Sequence, residues 1–541
     1  MPGSRGVALV APRPPLADRI ARWGTVLWRL LGQCSRHRIL TCVLLAAFLM
    51  SVRLAVLPLI PFPEPAIHDE FSYLLGAETL ASGRLTNPPH PMWVHFETYH
   101  EIFQPHYMSK YPPGQALFLA LGWKLLGHPW YGVWISFGLF AACLCWMLQG
   151  WLPPIYALLG SLVTFGQITV FGYWMNSYWG GAVAGIGGCL LLGSLPRLLH
   201  RKSALLSATA ACGLFILAIT RPFEGLLLTI TAAAAFVWLS RRRGQSLRGL
   251  FSARILVPIL LIGGLGVSWL GFYNYRNTGS ALLMPYAIYQ RTYTIGNYLL
   301  FLPENPKPTY RHAVIERFWQ QDADHTRKMR TFPPRQTASV LRVTQFFGSE
   351  LIVLLALLGG LMDRGWAARL SLAILAIFGL ELSVSTYWWA HYVAGATGLL
   401  AVAAAGGLRV IRRHSGRVGP AIALLCVAVA CWQVAADTVD SVSNRKNRPP
   451  RTVVARLLKP QGRHHLILVR YAEWHNPDTE FVFNAADIDR SPIVWARDMG
   501  AQQNRELLGY YHDRKVWLWQ PDLGAAALTL YPDAAAQETV Q

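Results

Sequence analysis

Charged side chains are scarce in this 541-residue chain: Asp, Glu, Lys and Arg together make up 14% of it, against about 25% in an average soluble domain. Beside 53% hydrophobic residues, that deficit excludes an ordinary soluble globule and points to a membrane protein. Cysteine is missing from the long polar segments. All eight cysteines (Cys34, Cys42, Cys143, Cys145, Cys189, Cys212, Cys426 and Cys431) lie in a basic tail or in apolar runs, so neither a disulfide framework nor a cysteine-ligated zinc is expected. There is no phosphate-binding glycine fingerprint and no internal repeat. The net charge of +21 would suit nucleic acid, but the basic residues recur in short clusters between apolar runs and form no arm or stripe, so no nucleic-acid partner is expected.

What is present is a succession of apolar runs. Residues 1–38 form a basic tail with Arg5, Arg13, Arg19, Arg22, Arg29 and Arg36, and Leu16 to Leu31 has the pattern of an amphipathic helix on a membrane surface. Ile39 to Ile60 is long enough to span and has no small-residue cleavage site, so it reads as a retained signal anchor. Further runs follow at about 131–150, 155–173, 179–196, 204–220, 223–240, 254–273, 347–362, 370–386, 390–408 and 418–436, giving about eleven spans. Gly114 to Gly127 is apolar but short, and reads as an interfacial helix. Under alternation the arginines at 197, 201, 241–243, 248, 364, 369, 409, 412, 413 and 417 fall in loops on one side, with Lys202; the positive-inside rule makes that side cytoplasmic. The expected division is therefore a cytoplasmic tail (1–38), a mainly α transmembrane bundle (39–437) with external loops 61–130 and 274–346, and an external C-terminal α/β domain (438–541). In that last domain helices are expected at Thr452–Leu458 and Gln502–Tyr511, and strands at Leu466–Tyr471, Ile493–Ala496 and Val516–Trp519.

This topology puts an acidic pair, Asp69-Glu70, just outside the first span. A carboxylate partly desolvated at a membrane surface can act as general base toward an acceptor hydroxyl. A sugar on a polyprenyl phosphate is a fitting donor at that depth, because its phosphate leaves with cationic stabilisation alone. The blander account is that Asp69 and Glu70 cap a surface helix, Phe71–Ala81.

The motifs resemble those of the GT-C superfamily of polytopic membrane glycosyltransferases, which includes protein O-mannosyltransferases and the aminoarabinose transferase. His68-Asp69-Glu70 with Tyr73-Leu74 is similar to the acidic motif in the first external loop. Ser109-Lys110-Tyr111-Pro112-Pro113-Gly114 resembles the element that opens a juxtamembrane helix near the donor phosphate. Arg221-Pro222 and Trp389-Ala390-His391-Tyr392 resemble pairs at the entries of later spans. The resemblance implies a polytopic GT-C bundle and an inverting transfer from a polyprenyl-phosphate sugar at the outer face of a bacterial cytoplasmic membrane. It further implies Asp69 as base supported by Glu70, with Lys110, His391 and Arg221 on the donor phosphate. The acceptor, whether glycan, lipid or protein, is not specified. Several members carry a second acidic residue in the next external loop, where this chain has Tyr173-Trp174-Met175-Asn176-Ser177-Tyr178-Trp179-Gly180-Gly181. With no carboxylate there, a divalent metal is not favoured and no metal ligand is assigned.

Each of these residues has a plainer alternative. Lys110 can snorkel to lipid head groups. Arg221 can pair with Glu224 at a span edge, and His391 can belong to the interfacial aromatic belt with Trp388 and Trp389. His68, His90, His95, His100 and His106, with Glu97 and Glu101, are too irregularly spaced for a helical metal motif and read as loop histidines, with His68 or His106 placed to touch substrate. Tyr111, Arg276 and Arg291 are further candidate substrate contacts, although solvation is the simpler reading for the two arginines. The rival function is a transporter or flippase of lipid-linked intermediates. Such proteins carry ionisable residues within spans and related halves, whereas here the charges sit mainly in loops.

Overall fold

A computed structural model describes residues 15–246, 252–330, 342–343, 345–347, 350–443, 449–462 and 464–532. Arg5, Arg13, Arg248 and the middle of the 441–450 linker lie outside the described residues. The bundle is built from α1 (Leu16–Cys34), α2 (Arg38–Ala55), α3 (His68–Ala81), α4 (Gly114–Leu126), α5 (Trp130–Trp151), α6 (Pro154–Gln167), α7 (Ala182–His200), α8 (Ala204–Thr220), α9 (Pro222–Arg242) and α10 (Ala253–Thr278). It continues with α11 (Pro285–Tyr293), α12 (Ala313–Arg330), α13 (Glu350–Met362), α14 (Trp366–Leu382), α15 (Thr397–His414) and α16 (Gly419–Ser443).

Among the described residues, six helices are long and apolar enough to cross a membrane: α2, α5, α7, α9, α10 and the 394–414 stretch containing α15. The chain is a polytopic, mostly helical membrane protein. Helices α13 and α14 pass the same test only as a pair, bent by 118° at their junction, and α4, α8 and Gly416–Trp432 are shorter apolar helices. The expected count of eleven spans is not confirmed by these helices. The reason is length: α6, with 14 residues, rises about 21 Å, short of the ~30 Å hydrocarbon core. Of the run expected at 155–173, only the part up to Gln167 is helical, and residues 168–181 turn back irregularly. There Asn176 is fixed by its own bonds to the Val170 and Gly172 carbonyls and by the buried Arg53 of α2.

The bundle core is apolar and close-packed around α5 and α7, while α10 presents Leu260, Leu265 and Val267 outward, as a lipid-facing helix does. Two close approaches set the site. A Cβ built at Gly188 would stand 1.8 Å from the Gly395 carbonyl oxygen, so α7 meets the segment carrying His391 backbone to backbone. One built at Gly114 would stand 2.3 Å from Thr220 Oγ1 and 2.9 Å from the Ile219 carbonyl. The start of α4, just after Lys110, is thereby pressed onto the end of α8, just before Arg221.

The C-terminal region folds as α17 (Pro450–Leu458), β3 (His465–Val469), β4 (Ile493–Arg497), α18 (Ala501–Tyr510), β5 (Lys515–Trp519) and β6 (Leu528–Leu530); β1 (Glu101–Ile102) and β2 (Met108–Ser109) form a separate antiparallel pair in the first loop. The sheet order is β4-β3-β5-β6, parallel except for β6. Strand β3 is apolar at every position from Leu466 to Val469, as a strand buried on both faces must be. One face packs on α17 through Val454 and Leu458. The other shares a core with Leu75, Phe96, Phe103 and Tyr107 of the first loop. The described residues of the C-terminal sheet and its helices thus pack against the first loop.

Candidate active site

One cavity of about 980 Å³ collects residues from the first loop, the α8–α9 junction, α11, α12 and the 385–392 segment. Asp69 is the second residue of α3. Its Oδ1 accepts a hydrogen bond from the Tyr111 hydroxyl, and His68 Nδ1 lies 3.0 Å from Oδ2, a charge contact when the imidazole is protonated. Burial alone would push the carboxyl up. His68, foremost, and Lys110 outweigh it and hold Asp69 well below the usual carboxylate range, so it is ionised at neutral pH.

His100 supports this corner from a left-handed backbone conformation (φ 63°) that non-glycine residues rarely adopt. Three bonds hold it there. Its N–H donates to the Tyr289 hydroxyl at 2.7 Å, and its carbonyl accepts from the Ser72 hydroxyl at 2.6 Å and from the Lys110 N–H at 3.2 Å. Backbone strain of this kind persists only where surroundings over-determine it, and it clusters at functional sites. Burial, with Lys110 and His68 nearby, keeps the His100 imidazole neutral. His68, Asp69 and His100 each offer a ligand atom within 4.8 Å of the others, the one such group of three among the described residues. Two imidazoles and a carboxylate are a donor set that can hold a divalent metal.

Glu70, although adjacent to Asp69, does not line the cavity. Its Oε2 accepts from the N–H groups of Ala66 and Ile67, and its Oε1 from that of Tyr178. It occupies the third helical position and reaches back over the helix start, as the acidic half of a capping box does.

Lys110 faces the cavity with its ammonium over three tyrosine rings, 5.0 Å from Tyr111, 5.4 Å from Tyr286 and 4.7 Å from Tyr289. Among the described residues no carboxylate pairs with it and no hydrogen bond satisfies it. Burial lowers its pKa to about 7, with Asp69 and Asp322 pulling the other way. The Arg221 guanidinium likewise lies over a ring, 4.7 Å from Tyr392, and no ion pair joins it to Glu224. His391 lines the same space, bonded through Nδ1 to the Tyr173 hydroxyl at 3.2 Å. Burial and Arg221 keep its imidazole neutral, so it offers a hydrogen bond and no charge.

Of the sequence candidates, Asp69, His68, Lys110, Tyr111, Arg221 and His391 thus meet in one cavity, while Glu70, His106, Arg276 and Arg291 do not line it. Arg276 and Arg291 are exposed. Sequence reasoning missed Asp322, Tyr286, Tyr289 and Tyr387, all on cavity-facing elements of the second long loop or its neighbours. The signal for Asp322 was there. Ile315, Phe318, Trp319, Thr326 and Met329 form the buried stripe of α12, and a carboxylate at 322 interrupts it.

The fold is shared with solved structures at low sequence identity. Across 88% of this chain and 93% of the other, it superposes on ArnT from Cupriavidus metallidurans in the apo state with a TM-score of 0.50 at 12% identity. The same protein bound to undecaprenyl phosphate gives 0.46 at 13% identity over 89% and 93% of the two chains. The apo oligosaccharyltransferase of Archaeoglobus fulgidus gives 0.46 at 14% identity over 81% of this chain and 63% of that one. No family model matches the sequence, and no curated protein matches it.

Proposed function

We propose that this chain is an integral-membrane, inverting glycosyltransferase that moves a sugar from a polyprenyl-phosphate donor to an acceptor hydroxyl at the outer face of the cytoplasmic membrane. The observation that carries the reading is the pairing of opposites in one cavity: the Asp69 carboxylate with two basic side chains, Lys110 and Arg221, that meet tyrosine faces and, among the described residues, no bonded carboxylate. A buried cation without an anion costs several kcal/mol, and a donor phosphate removes that cost.

In the proposed step the acceptor oxygen forms a bond to the anomeric carbon as Asp69 takes its proton. The bond from that carbon to the phosphate oxygen breaks, and its electron pair leaves with the polyprenyl phosphate, held by Lys110 and Arg221. Donor binding also tunes the base. The phosphate neutralises the positive potential that depresses Asp69, so its proton affinity rises once the donor is bound. Tyr111 fixes the carboxylate through Oδ1, and Glu70 secures the helix start on which Asp69 stands.

The test uses purified protein in lipid nanodiscs, a polyprenyl-phosphate sugar labelled in the sugar, and membrane extract as acceptor source. Label moving to a second species with release of free polyprenyl phosphate supports transfer. Unchanged donor appearing in the opposite leaflet supports the flippase reading, and full activity of Asp69→Asn overturns the assignment of the base.

A further inference from the structure

The cavity has a second carboxylate, Asp322, that the transfer step does not use. It stands on α12 at a position of the inward stripe otherwise occupied by Phe318, Trp319 and Thr326. Its Oδ1 accepts a hydrogen bond from the Tyr387 hydroxyl, which leaves Oδ2 without a bonded partner among the described residues. The surroundings are polar and aromatic together. His325 stacks on Tyr387 with centroids 4.8 Å apart and planes at 21°. Gln290 donates to Asn297 Oδ1 at 3.0 Å, and the Tyr298 ring lies 5.8 Å from that of Tyr387. Asp322, His325, Tyr387, Gln290, Asn297 and Tyr298 all line the cavity.

We infer that Asp322 is the centre of the sugar subsite and that it restricts the donor to sugars without a carboxylate, either neutral or bearing an ammonium. This rests on the reading of the cavity as the donor site. A carboxylate with a free oxygen accepts from a pair of vicinal hydroxyls or from an ammonium, carboxamides serve the remaining hydroxyls, and tyrosine faces take the C–H side of a pyranose ring. The same carboxylate repels a uronic acid. Charges are also apportioned within the cavity: Lys110 and Arg221 suit the phosphate, and Asp322 stands close enough to Lys110 to draw its pKa upward. The reacting carbon joins phosphate to sugar, so a sugar subsite must adjoin a phosphate subsite. Burial raises Asp322 to about 6, which leaves it ionised at pH 7.5.

Displacement of a fluorescent undecaprenyl-phosphate analogue from the nanodisc-embedded protein at pH 7.5 tests this. The competitors are undecaprenyl phosphate and its glucose, glucosamine and glucuronic acid conjugates. The glucose and glucosamine conjugates are expected to bind at least tenfold more tightly than the glucuronate. Asp322→Asn is expected to shrink that gap to under threefold by improving glucuronate binding, while affinity for undecaprenyl phosphate changes less than twofold. If the wild-type protein binds all three conjugates equally, the inference is overturned without any variant. If the gap persists in a folded Asp322→Asn protein, another group sets it and Asp322 is cleared of the role. Failure of undecaprenyl phosphate itself to bind overturns the donor-site reading, and the inference with it; bound undecaprenyl phosphate with no discrimination overturns the inference alone.

Discussion

Two regions of this protein bury cations, and they do so in opposite ways. Where the C-terminal sheet meets the first loop, Arg497 donates to Glu480 Oε2 at 2.6 Å and to the Glu97 carbonyl at 2.7 Å. Nearby Arg451 donates to the carbonyls of Phe481 and Phe483. In the cavity, Lys110 is buried as deeply as Arg497 and Arg221 is half-buried, but both meet tyrosine rings. At the junction Arg497 is paired with the Glu480 carboxylate and Arg451 is bonded to two carbonyls, so these charges hold two chain segments together, with Arg497 Nη1 alone lacking a partner among the described residues. The cavity cations are unfinished, and a protein keeps such charges only where something else completes them. Burial of a charge therefore marks architecture at one place and a ligand at the other, and the number of bonded partners separates the two.

The sharpest test of the comparison lies at Asp69. Asp69→Asn keeps size and hydrogen bonding to Tyr111 but removes the base, and transfer should fall by about 10²–10⁴-fold, with an unchanged melting profile in detergent. Loss of folding in that variant would place Asp69 with the junction charges instead. Next in size is Lys110→Met, expected to cost about 10²–10³-fold in transfer, as loss of one positioned cationic donor does. Since no carboxylate among the described residues pairs with Lys110, the variant's melting temperature should stay level or rise. A clear drop would break the comparison.

The matching change on the other side is Glu480→Leu. It strands Arg497 in the junction and should cost about 3–5 kcal/mol of stability, the usual result of removing one partner from a buried pair. Limited trypsin digestion would read this as earlier cleavage between residues 471 and 500. Donor binding by the surviving folded protein should be nearly unchanged.

Much of the helical layout is legible in the sequence because long apolar runs have few alternatives in a membrane. The span count is less so. Hydropathy marks where apolar residues lie and is blind to where the helix stops, as at Gln167 and between Met362 and Trp366. At the site, Asp69 and Lys110 come from short motifs, whereas Glu70 shows the limit of reading a pair as a unit. One residue advances a helix by about 100°, enough to turn Glu70 from the cavity toward backbone N–H groups. The spacing from Ile67 to Glu70 already carried that capping signal. Asp322 was hidden differently. The 274–346 segment reads as an external loop, and only after α12 is seen as an amphipathic helix does a carboxylate on its apolar stripe stand out. The union of the C-terminal sheet with the first loop is a contact between residues about 400 positions apart in sequence, such as His95 and Arg497, which no local pattern encodes.

The smallest expected effect is on pH dependence, and it separates the two kinds of cation most finely. Arg497 stays charged at any working pH, so the junction should be indifferent between pH 6 and 9. Lys110 has a pKa of about 7 before donor binds, and only its protonated form attracts phosphate. Below pH 7 it is charged, and above pH 7 the cation is progressively lost. A phosphate monoester gains its second charge near pH 6, so binding of undecaprenyl phosphate should be strongest between about pH 6 and 7. The dissociation constant should then rise about fivefold from pH 7 to 8 and about tenfold over the next unit, as a single proton requirement dictates. Lys110→Arg supplies a permanently charged group and should flatten that limb. Isothermal titration across this range decides the matter: an unchanged slope in the arginine variant would show that another group sets it, and would remove Lys110 from the donor site.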